Sequence, residues 1–195
     1  MYYMKKHYLT LVFIFLLGIA QAQTEIFEAI RDGNQERFMQ LVQDPKNVNA
    51  SIKWQEKTWL YENFTPLMQA VSYQREEMVL ELLKRKAKAN AKCKVIEGYE
   101  IDKCDAKVTG YTALHMAAAK GNENIIKLLI RAGADTRAEV KIKFRHKECY
   151  KTKDGWFVEE FVLGPQGYAE TFGQNDAARI IRTAKGSKWI KEPIK

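Results

Sequence analysis

Residues 64–92, FTPLMQAVSYQREEMVLELLKRKAKANAK, and residues 110–138, GYTALHMAAAKGNENIIKLLIRAGADTRA, are two copies of one pattern. Thr65 falls on Thr112, Ala70 on Ala117, and Met78, Val79, Leu82 and Leu83 fall on Ile125, Ile126, Leu129 and Ile130. Two weaker copies flank them. TEIFEAIRDGNQERFMQLV, from Thr24, brings Ala29 and Gly33 to the places of Ala117 and Gly121, and GPQGYAETFGQNDAARIIR, from Gly164, brings Ala169 and Gly173 there. Such self-similarity constrains a fold strongly, because a unit that cannot bury its apolar face alone must stack on the next.

The local chemistry of each copy reads as helix–turn–helix. Thr65 and Thr112 suit an N-cap, where a hydroxyl satisfies an unpaired backbone N–H, and Pro66 suits the first helical position. The recurring alanine lets a first helix approach its neighbour closely at no cost in helix propensity. Gly121 then ends that helix, and apolar residues at i, i+1, i+4 and i+5 give the second helix one buried stripe. Gly133 fits the left-handed residue after the second helix; Lys86 holds that place in the preceding copy, at a cost of about 1 kcal/mol.

The G-Y-T-A-L-H-M-A-A opening, the central Gly121 and the A-G-A-D exit of residues 110–138 closely resemble the ankyrin repeat. The resemblance implies a mainly α solenoid of about four helix–turn–helix units, roughly 23–63, 64–109, 110–163 and 164–195, forming one domain over 23–195. It also gives His115 a structural role near the helix start. Met68 and Gln74 stand where the family has histidine and glycine.

The spacing departs from the family. Ankyrin units recur about every 33 residues, whereas the matched alanines lie 41, 47 and 52 residues apart. Each insertion falls between the second helix of one copy and the first helix of the next, where the family has a short hairpin. Three elongated β-hairpin fingers are therefore expected on one side of the solenoid. In the first, Ile52, Trp54, Trp59 and Tyr61 are placed for cross-strand pairing. In the third, Val140, Ile142, Phe144 and His146 alternate with basic residues, and Asp154-Gly155 marks a turn before WFVEEFV. Rigid scaffolds tend to carry function on such loops, so Trp54, Trp59, Tyr61, Tyr99, Phe144, Trp156 and Phe157 are the candidate partner-binding residues, with packing of finger on finger as the alternative.

The chain opens with Lys5 and Lys6, an apolar run from Leu9 to Ala20, and a small-x-small site at Ala20-Gln21-Ala22. That is the pattern of a secretory signal peptide over 1–22, and it predicts an exported protein, periplasmic or secreted, with no stable membrane anchor once cleaved. Without Lys5 and Lys6 the net charge falls from +8 to +6. After export such a charge points to an acidic protein or an anionic surface rather than to nucleic acid.

Export also bears on Cys93, Cys104 and Cys149. In CKVIEGYEIDKC, a hairpin folded about Gly98-Tyr99 sets Cys93 opposite Cys104, within reach of a disulfide. A Cys3His zinc site with Cys149 and His146 is the alternative. Asn49-Ala50-Ser51 fits the glycosylation pattern.

No H-E-x-x-H, G-x-S-x-G or G-x-x-x-x-G-K-[ST] occurs, and Glu76-Glu77 and Glu159-Glu160 are adjacent carboxylates that point apart. No catalytic residue, cofactor or metal is expected. The resemblance implies a non-catalytic module that binds a protein partner through its fingers and first helices. Envelope glycan binding by finger aromatics, or inhibition of one enzyme, are the alternatives.

Overall fold

The computed structural model describes residues 24–56, 59–98, 104–146 and 157–186. The expected signal segment, Tyr99, Cys149, Asp154-Gly155 and Trp156 lie outside them. Helices come in antiparallel pairs separated by pairs of strands. Helix α1 (24–32) and α2 (Gln35–Leu41), with the single turn α3 (Pro45–Val48), lead into β1 (Ile52–Glu56) and β2 (Trp59–Phe64). Helices α4 (Pro66–Ser72) and α5 (Glu76–Lys84) lead into β3 (Cys93–Gly98) and β4 (Cys104–Tyr111). Helices α6 (Ala113–Lys120) and α7 (Glu123–Arg131) lead into β5 (Val140–His146) and β6 (Phe157–Leu163), and α8 (Pro165–Thr171) and α9 (Asn175–Gly186) follow.

The first helices of the pairs stack, α4 on α6 on α8, and so do the second helices, α5 on α7 on α9. Ala29, Ala70, Ala117 and Ala169 are all buried at the first-helix contacts, as a residue without further side chain allows. The predicted stripe of each second helix is the core: Met78, Val79, Leu82 and Leu83 on α5, then Ile125, Ile126, Leu129 and Ile130 on α7. The helix starts follow the expected chemistry. The Thr65 hydroxyl accepts from the Met68 N–H at 3.3 Å, with Pro66 next in line, and Asn34 and Asn122 cap α2 and α7.

Between the helices of a pair the chain turns through the left-handed region, at Gly33, Gln74, Gly121 and Gly173. It does so again after α5 and α7, at Lys86 (φ +66°) and Gly133 (φ +86°), so the conformation is kept where the sequence lacks glycine. Asparagines then tie successive loops together. Asn90 accepts from the Asp135 N–H at 2.7 Å and donates to the Gly133 carbonyl at 3.0 Å. Asn49 repeats the pattern one pair earlier, accepting from the Lys88 N–H at 2.9 Å and donating to the Lys86 carbonyl. The glycosylation motif is thus built on a side chain whose amide already holds the next loop.

The six strands join edge to edge into one antiparallel sheet in the order β1-β2-β3-β4-β5-β6. One cross-strand row runs Trp54, Tyr61, Val95, Val108, Ile142, and the backbone register continues to Phe161. The Val95, Val108 and Ile142 side chains in that row are buried. The next positions along β2 and β3 are charged, and there Glu62 receives Lys94 at 2.6 Å. Alternation of this kind lets one face cover apolar neighbours while the other meets water.

Two strands bulge near their base. Asn63 (φ +60°) and Gly110 (φ +82°) lie at the register shifts of β2 and β4. An extra residue restores the facing of the positions around it, so Tyr61 and Phe64 come together, ring centroids 4.6 Å apart. Gly110 has a second constraint, since a Cβ there would sit 2.7 Å from the Glu139 carbonyl oxygen. At the matching place β6 carries Val162, and its register with β5 runs without a shift.

The expected pairing of Cys93 with Cys104 is corrected by this sheet. Cys93 stands opposite Tyr111, at the base of β3, and Gly98 stands opposite Asp105. Cys104, at the far end of β4, pairs with His146 of β5. The two cysteines lie at opposite ends of the hairpin, and a disulfide tolerates only about 7 Å between Cα atoms. Cys93 is a buried free thiol.

Candidate functional site

Strands β2, β3 and β4 and the first helices share the lining of one cleft. Tyr111 leaves β4 just beyond Gly110, beside Val108 and directly before the Thr112 cap of α6. The facing helices contribute Met116 of α6 and Tyr168 of α8, which occupy corresponding places in successive copies. The result is a cleft of about 320 Å³. Trp59, Tyr61, Val95, Val108 and Tyr111 form its sheet wall; Ser72, Met116, Ala119, Lys120, Tyr168 and Phe172 form its helix wall. Phe172, at the end of α8, is 54% exposed, an unusual position for a large apolar ring.

A continuous aromatic cluster joins the two walls. The rings of Tyr111 and Tyr168 are 5.3 Å apart, and Tyr168 and Phe172 are 5.2 Å apart. His115 meets Tyr168 edge-on at 5.8 Å, an arrangement favoured by the ring quadrupoles. Burial raises the Tyr111 hydroxyl well above the usual phenol range, reinforced by its hydrogen bond with Tyr168. The phenol is therefore a neutral, fixed wall group.

His115 is fully buried, and its Nδ1 sits 2.8 Å from the Thr112 hydroxyl and accepts from the Thr112 N–H at 3.3 Å. Burial lowers its pKa to about 4, against the opposing pull of the Leu163 and Ala138 carbonyls nearby. Its Nε2 makes no formed hydrogen bond. A neutral imidazole locked into the start of α6 holds structure; it has no access to a reacting group. Cys93, whose thiol burial pushes up to about 12, is equally unsuited to nucleophilic work. Among the described residues no three His, Cys, Asp or Glu side chains gather as a metal site, and no helix is long and apolar enough to cross a membrane.

The candidate binding residues separate. Trp59 and Tyr61 line the cleft. Trp54 instead stacks on Phe27 of α1 at 5.9 Å and packs against the core, its indole N–H buried without a partner. Phe144 and Phe157 have backbone partners Glu159 and His146 in the β5–β6 pair. Tyr99 and Trp156 lie outside the described residues. The helix wall was missed: Met116, Lys120, Tyr168 and Phe172 were not singled out from the sequence, although laying the copies over one another puts Gln69, Met116 and Tyr168 in one row and Tyr73, Lys120 and Phe172 in another.

Paired helices in register, linked by strand pairs that border an aromatic cleft, define a helical-repeat scaffold. Residues 109–140 match a family model described as the ankyrin repeat, and residues 62–91 match a second ankyrin repeat model. These two segments are ankyrin repeats, and the helix-rich fold with its antiparallel sheet fits an ankyrin-like arrangement. No curated protein matches it. Ankyrin repeats generally mediate protein–protein interaction and are typically non-catalytic, which agrees with a binding module.

Proposed function

We propose that the protein is an exported, non-catalytic interaction module whose four helix pairs act as four ankyrin units and whose three hairpins are enlarged fingers. It grips a protein partner in the cleft between those fingers and the first helices. The observation that carries the reading is the cleft itself. Trp59 and Tyr61 on one wall face Tyr168 and the half-exposed Phe172 on the other, all mounted on rigid strands and helices. Concave sites lined mainly by apolar and aromatic groups are where binding concentrates, and aromatic anchors dominate interface energies. The net charge of +6 left without Lys5 and Lys6 favours an acidic partner.

The test is affinity capture from the organism's own envelope fraction with the tagged protein, run beside Trp59→Ala and Phe172→Ala. A partner retained by the native protein and lost from both variants, at unchanged circular dichroism, supports the reading. A partner retained equally by all three removes the cleft from it.

A further inference from the structure

The walls of the cleft say what kind of partner segment it takes, and the inference rests on the binding-module reading above. Ten of its eleven lining residues are uncharged; the remaining one is Lys120, the last residue of α6. Lys120 is exposed and has no ion-pair partner among the described residues. Other cations of the fold do meet carboxylates: Lys94 and Lys53 meet Glu62 in the sheet, Arg31 meets Asp32, and Arg182 meets Glu170. No lining residue supplies an anion to answer Lys120.

We propose that the cleft binds a short acidic segment of a protein partner, with one aromatic side chain seated between Trp59 and Phe172 and an adjacent carboxylate on Lys120. Size argues for a segment. At about 320 Å³ the space is at the small end of the range for ligand pockets, enough for one or two side chains and too small for a helix. Aromatic walls favour an aromatic guest, through offset and edge-on ring contacts. A single ammonium is a point charge suited to a carboxylate; phosphate recognition ordinarily draws on the forked donors of arginine, and no arginine lines the cleft.

The experiment titrates the 15N-labelled protein with four capped pentapeptides, glycine at each end and Asp-Phe-Asp, Asn-Phe-Asn, Asp-Ala-Asp or Lys-Phe-Lys between. The Asp-Phe-Asp peptide is expected to give saturable shifts at Trp59, Tyr111, Lys120 and Phe172, to bind about fivefold more tightly than Asn-Phe-Asn, the worth of one partly exposed ion pair, and to bind more tightly than the other two. Lys120→Gln should bring its affinity down to that of the Asn-Phe-Asn peptide, which itself should not change. Equal binding of the Asp and Asn peptides, indifference to Lys120→Gln, or no saturable shift with any peptide overturns the proposal. Capture of the natural partner separates it from the broader reading. A partner lost on Phe172→Ala but insensitive to Lys120→Gln leaves the cleft reading standing and removes the acidic segment; one insensitive to both removes the acidic segment and the cleft together.

Discussion

Arg37 of α2 reaches back to the carboxylate of Glu25 on α1, and the same relationship closes the other end of the stack, where Arg182 of α9 donates to Glu170 of α8 at 3.0 Å. Each pair spans twelve residues and links the first and second helix of its own helix pair. The positions corresponding to Glu25 and Arg37 in later pairs are Pro66 and Met78, Ala113 and Ile125, then Pro165 and Ala177, all buried. Those corresponding to Glu170 and Arg182 in earlier pairs are Ile30 and Val42, Val71 and Leu83, then Ala118 and Ile130, also buried. Among the described residues, the same two places on each face are apolar wherever another helix pair covers them and ionic where none does.

These end pairs are exposed, so their task is solubility more than stability. Replacing Glu170 and Arg182 together by leucine should turn the last face into an apolar stacking surface. Sedimentation velocity is expected to show concentration-dependent association of the double variant and none for Glu170→Gln. An unchanged sedimentation coefficient for the double variant would mean that these charges do not limit stacking.

His115 sets a pH limit. Its folded pKa is lowered to about 4 from an ordinary 6.5, chiefly by burial. The unfolded chain therefore binds the proton more readily than the folded one between those values. Stability from keeping the ring neutral is complete above about pH 6.5 and is lost as pH falls toward 4. At pH 5 the loss is about 2 kcal/mol. Urea denaturation at pH 7.5 and pH 5 should show this difference for the native protein and a smaller one for His115→Gln. Equal pH dependence in the two proteins would contradict the neutral, buried state.

The cysteine assignment shows where sequence reading succeeded and where it did not. Ala29, Ala70, Ala117 and Ala169 and the second-helix stripes were legible because stacking imposes the same small or apolar residue in each copy. The three strand pairs were legible as insertions at one place in the repeat, the third with period-two alternation at Val140, Ile142, Phe144 and His146. Strand register was not. Gly98 looked like a turn residue, but the hairpin is anchored at both ends, by α5 before Cys93 and by α6 after Tyr111. Equal strands drawn from those anchors carry Gly98 into β3, opposite Asp105, and the bulge at Gly110 takes up one residue more. The helix wall of the cleft escaped for a different reason. Tyr168 and Phe172 lie outside the insertions, at ordinary helical positions of the repeat.

Cys93 should accordingly behave as a core residue. Unreduced peptide mapping is expected to find no Cys93–Cys104 link, and a thiol reagent should reach Cys93 only after denaturation, since the thiolate is disfavoured and the sulfur covered. Cys93→Ala should cost about 1 kcal/mol, and Cys93→Ser more, because a hydroxyl would enter an apolar wall. Rapid modification of the folded protein would refute the buried position.

The left-handed turns give the sharpest contrast between two substitutions. Lys86 holds φ +66° after α5 with an exposed side chain, and what the following loop needs from it is its carbonyl, which receives Asn49. Lys86→Gly removes the steric penalty of the Cβ, and after the added flexibility of the unfolded chain it should stabilise by about 0.5–1 kcal/mol. Gly121 has φ +71°, and a Cβ added there would stand 2.1 Å from the Gln174 side-chain oxygen of the next helix pair. Gly121→Ala must therefore bear both backbone strain and a displaced neighbour, and should destabilise by about 1–3 kcal/mol. Shortening Gln174 in the same chain, as Gly121→Ala with Gln174→Ala, relieves the contact and leaves the strain. The double variant should recover part of the loss in denaturant midpoint. No recovery would assign the whole cost to the backbone, and full recovery would assign it to the contact.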